Sequence, residues 1–70
     1  MITIEKITLR KPRSDGSFDA SMELRGLSTD TKPTSVFDTY HIDNGSVFIE
    51  IDTGKVYLFD LESTTWCEVS

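Results

Sequence analysis

The sequence predicts a small all-β domain, an antiparallel meander or sandwich of about five to six strands built from hairpins. Two observations carry this prediction: a residue period of two recurs almost throughout the chain, and most glycines and prolines fall between the periodic runs. The 70 residues show no internal repeat or low-complexity tract. We therefore expect a single domain over residues 1–70, with an N-terminal hairpin at 1–25, a Ser/Thr-rich loop at 26–45 and a three-stranded meander at 46–70.

The clearest predicted strand covers residues 17–25, where polar and apolar side chains alternate strictly. Such alternation is typical of a strand with one buried face. The preceding residues 11–16 contain Pro12 and the dipeptide Asp15-Gly16, which favour the turn of a hairpin. The apolar members of this strand are Phe18, Ala20, Met22 and Leu24.

The first strand of this hairpin changes face along its length. Ile2 and Ile4 occupy even positions, and a single regular strand would continue with them. Ile7 and Leu9 occupy odd positions instead. An extra residue in one strand reverses the alternation, so we expect a β-bulge near residues 5–6.

The middle of the chain, residues 26–45, is rich in Ser, Thr and Asp. We expect it to form a loop with at most one short helical turn. Thr34 could cap that turn, which would place Val36, Phe37 and Tyr40 on one side.

Three β-rich runs follow, at residues 46–51, 55–60 and 64–69. The tripeptide Asp52-Thr53-Gly54 predicts a three-residue hairpin loop that ends in a left-handed glycine. This loop length predicts a register in which one face carries Val47, Ile49, Ile51, Lys55, Tyr57 and Phe59. The other face would carry Phe48, Glu50, Val56 and Leu58. Both faces are partly apolar, so we expect the N-terminal sheet to cover one side and a partner to be able to cover the other.

Asp52-Thr53-Gly54 also admits a second interpretation, because retroviral-type aspartic proteases present their catalytic carboxylate on Asp-Thr-Gly after an apolar strand. Lys55 stands where that class has a small residue, a strand returns immediately, and 70 residues are too few for the protease fold. We therefore assign Asp52, Thr53 and Gly54 to a structural turn. Asn44-Gly45 is assigned to a second turn on the same grounds.

The composition favours neither catalysis nor metal binding. The chain has one histidine, His41, and one cysteine, Cys67, so it offers no intramolecular disulfide and at most two nitrogen or sulfur ligands. Cys67 shares its strand parity with Val69, which predicts a small buried side chain. We expect no enzyme activity, no cofactor and no metal.

The net charge of −5 is unevenly distributed. Residues 1–35 hold six basic side chains against five acidic ones, whereas residues 36–70 hold one basic against seven acidic. The C-terminal half therefore carries a net charge of −6, and we expect no binding of nucleic acid. No apolar run approaches the roughly 20 residues of a membrane helix, and no signal peptide is recognisable. These features predict a cytoplasmic protein that does not bind membranes.

Aromatic residues supply the candidate interaction surface. Tyr57, Phe59 and Trp66 come close together if the last two strands pair, and exposed Tyr and Trp on a sheet bind sugars or protein partners. We expect Phe59 and Trp66 to contribute to the core, with Tyr57 undecided. The candidate surface comprises Tyr57, Trp66, Phe48 and Glu50.

A set of short motifs adds a biological setting. They are residues 26–34 (GLSTDTKPT), residues 44–60 (NGSVFIEIDTGKVYLFD) and residues 65–69 (TWCEV). As a set they resemble a family of short, mostly uncharacterised proteins encoded in tailed bacteriophages and prophages of Gram-positive bacteria, often among the virion structural genes. The chain departs from that family at Val47, where threonine is common, and over residues 35–43, which are longer than the usual link.

The resemblance implies a non-enzymatic virion structural or assembly-associated docking domain, made in the host cytoplasm. Its partners would be phage structural proteins or further copies of itself. Two alternatives stay open: a sugar- or cell-wall-binding module that uses Tyr57 and Trp66, and a small regulatory protein made in the infected host.

Overall fold

The seven strands of the chain join one mixed sheet, and there is no helix. The computed structural model describes residues 1–70. The all-β prediction is thereby confirmed. The strands are β1 (Thr3–Pro12), β2 (Phe18–Gly26), β3 (Val36–Phe37), β4 (Tyr40–Ile42), β5 (Val47–Glu50), β6 (Val56–Asp60) and β7 (Thr65–Glu68).

β2 is the central strand of the sheet. It pairs antiparallel with β1, which confirms the predicted N-terminal hairpin, and parallel with both β4 and β5. β4 lies beside the start of β2 and β5 beside its end, so both occupy the same edge, one after the other. The expectation of a purely antiparallel sheet is therefore wrong. A parallel pair requires a crossover, and residues 27–35, called here the connection, begin that crossover.

The sheet has no second sheet packed against it. All seven strands belong to one hydrogen-bonded sheet, so the sandwich alternative is wrong. The meander extends the N-terminal hairpin sideways through β2 and β5, and the hairpin does not fold over it. The structure has no helix that could span a membrane.

Two β-bulges shape β1. Its register with β2 shifts between Ile4 and Lys6 and again between Leu9 and Lys11. The first shift confirms the bulge expected near residues 5–6 and keeps Ile4 and Ile7 on the same face despite their opposite parities. The second shift has no signal in the apolar pattern, because no core residue follows it.

One face of the sheet, called here the inner face, carries the core. The alternation predicted for β2 is confirmed, because three of its four apolar side chains are fully buried and Phe18 is half-buried. Half-buried side chains from β1, β3, β4, β6 and β7 pack around this centre. The buried apolar residues are Ala20, Met22, Leu24, Ile42, Phe48 and Phe59.

The short helical turn expected after Thr34 does not form. Residues 36–42 make the hairpin β3–β4, in which Val36 pairs with His41 and Phe37 with Tyr40. The two residues between the strands are both left-handed, Asp38 at φ 51° and Thr39 at φ 70°. Such turns usually have Asn, Asp or Gly first and Gly second. Because threonine takes the second position here, the pattern of residues did not indicate a hairpin, although its Phe37 and Tyr40 still reach the core.

The predicted strands of the meander form, but the register of its first hairpin is wrong by one residue. Val47 pairs with Leu58, Phe48 with Tyr57 and Ile49 with Val56. The Gly54 N–H donates to the Glu50 C=O at 2.8 Å, so the loop comprises the four residues 51–54. A shift of one residue exchanges the two faces of a strand. Phe48 and Glu50 therefore share the inner face with Tyr57 and Phe59, and the outer face carries Val47, Ile49, Val56 and Leu58.

Both loops of the meander end in a left-handed residue, and only one of these is glycine. Gly54 has φ 75° and Thr64 has φ 51°. A left-handed conformation costs a non-glycine residue roughly 1–2 kcal/mol. The two loops therefore allow the same conformational effect to be tested in opposite directions.

We expect Thr64→Gly to raise the free energy of unfolding by about 0.5–1 kcal/mol, because glycine removes the steric cost but has a more disordered unfolded state. Gly54→Ala should lower the same free energy by about 1 kcal/mol. A Cβ at Gly54 meets no atom within 4 Å, so no clash would contribute. Urea unfolding of both variants measures the two effects, and a shift of the same sign in both would contradict this account.

Candidate functional site

The connection is held against the inner face by polar contacts at several points. The Ser28 N–H and hydroxyl both donate to the Asp52 carboxylate, the former at 2.9 Å. Lys32 reaches Glu50, and Pro33 offers its C=O to Trp66. Since no second sheet exists, these contacts are what keep this segment over the inner face.

Glu50 is the acidic centre of this arrangement. Its side chain is only 5% exposed, and its two oxygens accept hydrogen bonds from Lys32 Nζ and Thr53 Oγ1, each at 2.6 Å. The hydrogen bond from Lys32, followed by that from Thr53, lowers the pKa of Glu50 below its ordinary value of 4.5, and burial opposes that shift only in part. Glu50 is therefore ionised and neutralised within the fold at neutral pH.

Lys32 also lies over two aromatic rings. Its Nζ is 4.3 Å from the ring centroid of Tyr57 and 4.9 Å from that of Phe48. The side chain is 18% exposed, so the cation–π attraction acts in a partly dry environment. The methylene stem of a lysine can cover apolar surface while its ammonium pairs with a carboxylate. Lys32 does both, because it lies over two rings and bonds to Glu50.

Trp66 joins the connection to the end of the sheet. Its Nε1–H donates to the Pro33 C=O at 2.7 Å. The indole lies 5.0 Å from the Phe59 ring and 5.9 Å from the Phe48 ring, centroid to centroid. The expectation that Phe59 and Trp66 contribute to the core is confirmed, because Phe59 is buried and Trp66 is half-buried against it.

The start of the connection is a tight turn held by Asp30. Its carboxylate accepts from the Leu27 N–H at 2.8 Å and from the Met1 amino group at 3.0 Å, and these contacts, in that order, lower its pKa. Gly26 makes the close approach possible, because a Cβ there would stand 2.9 Å from both Asp30 Oδ2 and Phe48 Cζ. The pKa of Asp52 is lowered as well, chiefly by the hydrogen bond from the Ser28 hydroxyl.

The structure distributes the predicted interaction residues between the interior and a half-exposed rim. Phe48 and Glu50 are buried, so neither presents a surface to a partner. Tyr57 and Trp66 are half-buried and both contact the connection. All four lie on the inner face. The predicted turn residues Asp52, Thr53, Gly54, Asn44 and Gly45 do lie in or next to turns, and Asn44 Oδ1 accepts from the Leu61 N–H.

Sequence reasoning missed the part played by Ser28, Asp30 and Lys32. The presence of a buried carboxylate at Glu50 could have pointed to a basic partner. However, the predicted register placed Glu50 on the opposite face from Tyr57, so a contact of Lys32 with both side chains could not be predicted.

The outer face of the meander is aliphatic and uncovered. Val47, Ile49 and Val56 are half-buried there, and Leu58 is 40% exposed. Cys67, which pairs with Leu58, is exposed as well. The expectation that Cys67 is buried is wrong, because β7 turns Trp66 inward and therefore its neighbour outward.

The remaining chemistry-bearing groups do not converge. His41 in β4 and Cys67 in β7 lie in strands that do not pair, and no hydrogen bond joins them. No group of three or more His, Cys, Asp or Glu side chains is arranged to hold a metal ion. An open groove lies between Ile2, Ile4 and Phe37, and only Thr3 and Asp38 add polar groups to its lining.

Comparison of the chain with protein-family models, with curated proteins and with solved structures finds no match.

The lowered pKa values predict how stability depends on pH. A carboxylate whose pKa is lower in the folded state stabilises the fold above its unfolded pKa, and this stabilisation is lost as the pH falls through the folded pKa. We therefore expect the free energy of unfolding to be level near neutral pH and to fall steadily below about pH 4.5, where Glu50, Asp30 and Asp52 take up protons.

Glu50→Gln should be less stable than the native chain at pH 7 and should lose less stability on acidification. Urea midpoints measured from pH 7 to pH 3 test this expectation. Glu62→Gln is the control, because the Glu62 side chain makes no hydrogen bond or ion pair. An identical pH profile for Glu50→Gln and the native chain would contradict the assignment.

Proposed function

We propose that this protein is a non-enzymatic docking domain, encoded by a phage or prophage, that binds a larger virion or assembly protein through the outer face of its meander. The observation that carries the proposal is that aliphatic outer face. Its side chains are uncharged as far as Asp60 at the end of β6, no second sheet packs over them, and Leu58 and Val69 are 40% and 56% exposed. An uncovered apolar patch rimmed by polar residues is typical of a protein interaction site.

The sequence motifs also support different roles for the two faces, with the inner face holding the fold together and the outer face binding a partner. Ser28, Lys32 and Pro33 of the 26–34 motif contact Asp52, Glu50 and Trp66, which belong to the other two motifs. These motif residues therefore have a structural task on the inner face. The outer aliphatic residues make no such contact within the chain, and binding to a partner would explain why they are aliphatic.

The electrostatics of the carboxylates also favour binding over catalysis. General acid or base chemistry near neutral pH needs a carboxyl pKa that is raised toward 7. Glu50, Asp30 and Asp52 have lowered pKa values and donors already bound to their oxygens. Such groups are suited to holding a loop in place. Asp52 of the Asp52-Thr53-Gly54 turn does so, because its carboxylate binds Ser28 of the connection.

Docking is preferred to sugar binding because of what covers the aromatic rings. The Lys32 ammonium lies 4.3 Å from the Tyr57 centroid, and the Trp66 N–H is already bonded to Pro33. A sugar platform needs an open ring face and free donors. Regulation in the infected host differs from docking in where the protein is found, so the same experiment separates the two.

Mass spectrometry of purified particles and of the lysate tests the proposal. We expect the protein in purified particles or assembly intermediates at a fixed ratio to one structural protein. Leu58→Lys should remove it from them, because a charge would have to be desolvated at the interface. Leu27→Lys is the matched control, since Leu27 is also 40% exposed but belongs to the connection.

Presence in the lysate with absence from particles and intermediates would contradict docking and favour the regulatory alternative. Equal behaviour of the two lysine variants would contradict the choice of the outer face.

A further inference from the structure

Apart from the two-residue strand β3, the free edges of the sheet are formed by β1 and β7, and these two edges are built differently. β1 has two bulges along its length and ends in Pro12. Its edge also carries basic residues, and bulges, proline and lysine are devices that block pairing with another strand. β7 contains no bulge, no proline and no lysine. The sheet is therefore closed to further pairing at β1 and open to it at β7.

The backbone of β7 has hydrogen-bonding groups free at this open edge. The Val69 N–H donates to the Val56 C=O at 2.8 Å, which sets the alternation of the ladder between the last two strands. In an antiparallel ladder every second residue points its N–H and C=O away from the partner strand. Trp66 and Glu68 occupy those positions, and no other backbone or side-chain group of the chain bonds to theirs.

The side chains at the open edge are of two kinds. On the outer face, Cys67 and Val69 continue the aliphatic surface. On the inner face, Glu68 is 49% exposed, and its one cationic neighbour is Lys55 at 3.6 Å. The net charge of −6 over residues 36–70 makes the surroundings of this edge acidic.

We propose that the open edge of β7 binds an extended segment of a partner protein in which basic residues alternate with apolar ones. Paired with β7, its basic side chains would lie beside Glu68 and its apolar side chains beside Cys67 and Val69, while its backbone bonds to Trp66 and Glu68. This inference rests on the proposed docking function and deepens it by naming the edge and the chemistry of the partner.

A partner of this kind fits better than a second copy. Pairing β7 with its own copy would bring together two halves that each carry a net charge of −6. Like charges at an interface reduce affinity and slow association. A basic segment removes this repulsion and adds attraction to the same carboxylates.

A synthetic peptide of alternating lysine and valine, six residues long and blocked at both ends, serves as the probe. Titration by calorimetry should show binding that weakens as salt is raised from about 0.05 to 0.5 M. Hydrogen exchange followed by NMR should show slower exchange of the Trp66 and Glu68 amides. The same peptide with glutamate in place of lysine should not bind.

Glu68→Lys should weaken binding of the lysine peptide about fivefold or more, because it replaces an attraction with a repulsion. Glu5→Lys makes the same charge change at the other end of the sheet and should change the affinity less than about twofold. The two positions are matched, since each glutamate is 41–49% exposed and lies 3.6–3.8 Å from one cation.

Equal losses from the two variants, or unchanged exchange of the Trp66 and Glu68 amides at saturating peptide, would overturn the proposal. So would a dimer of the free protein that strengthens with salt and can be trapped through Cys67, because the edge would then belong to a second copy. The peptide experiment is independent of virions. Binding at β7 with no protein in particles would refute the docking function in the virion and leave the edge assignment standing.

Discussion

The structure depends on the ion pair between Lys32 and Glu50, which joins the connection to the sheet. Glu50 can meet Lys32 only if it points to the inner face, and the parallel pairing of β5 with β2 provides that orientation, because Phe48 pairs with the buried Leu24 and Glu50 with Gly26. With Glu50 inward, Phe48, Tyr57 and Trp66 are inward too. The outer face of the meander is then left mainly with aliphatic side chains, with Asp60 at its end, so one polar contact on one side of the sheet is linked to the composition of the other. Breaking a buried pair by removing one partner is costly, which makes this division of the faces robust.

The same contact explains how a single sheet of this size can have a core at all. Most small β domains bury their apolar face against a second sheet or a helix. Here the connection takes that place, with Lys32 over the aromatic rings and Pro33 bonded to Trp66. The cost is that only six apolar side chains are fully buried. A domain with so small a core and an open aliphatic face gains stability when a partner covers that face, and this links the fold to the proposed docking.

The sequence predicted those features that depend on local patterns. Strict alternation located β2, the change of parity in β1 located its first bulge, and glycine with aspartate located the turn before β6. It failed where the outcome depended on contacts between distant residues. Gly54 closes a loop of three or of four residues equally well, and the longer one brings Tyr57 and Phe59 to the face that carries Phe48 and Glu50. The parallel pairing of β2 with β5 has no local signature either, and the burial of the candidate site residues Phe48 and Glu50 followed from that missed register.

Lys32 and Glu50 act as one unit that fastens the connection to the inner face. A double-mutant cycle with Lys32→Met and Glu50→Gln tests it most directly, because methionine keeps the apolar stem over Phe48 and Tyr57 while both changes remove the charges. We expect each single variant to be clearly destabilised in urea unfolding and the double variant to be much less destabilised than the sum of the two. Strictly additive effects would contradict it, since they would mean that the two side chains contribute independently.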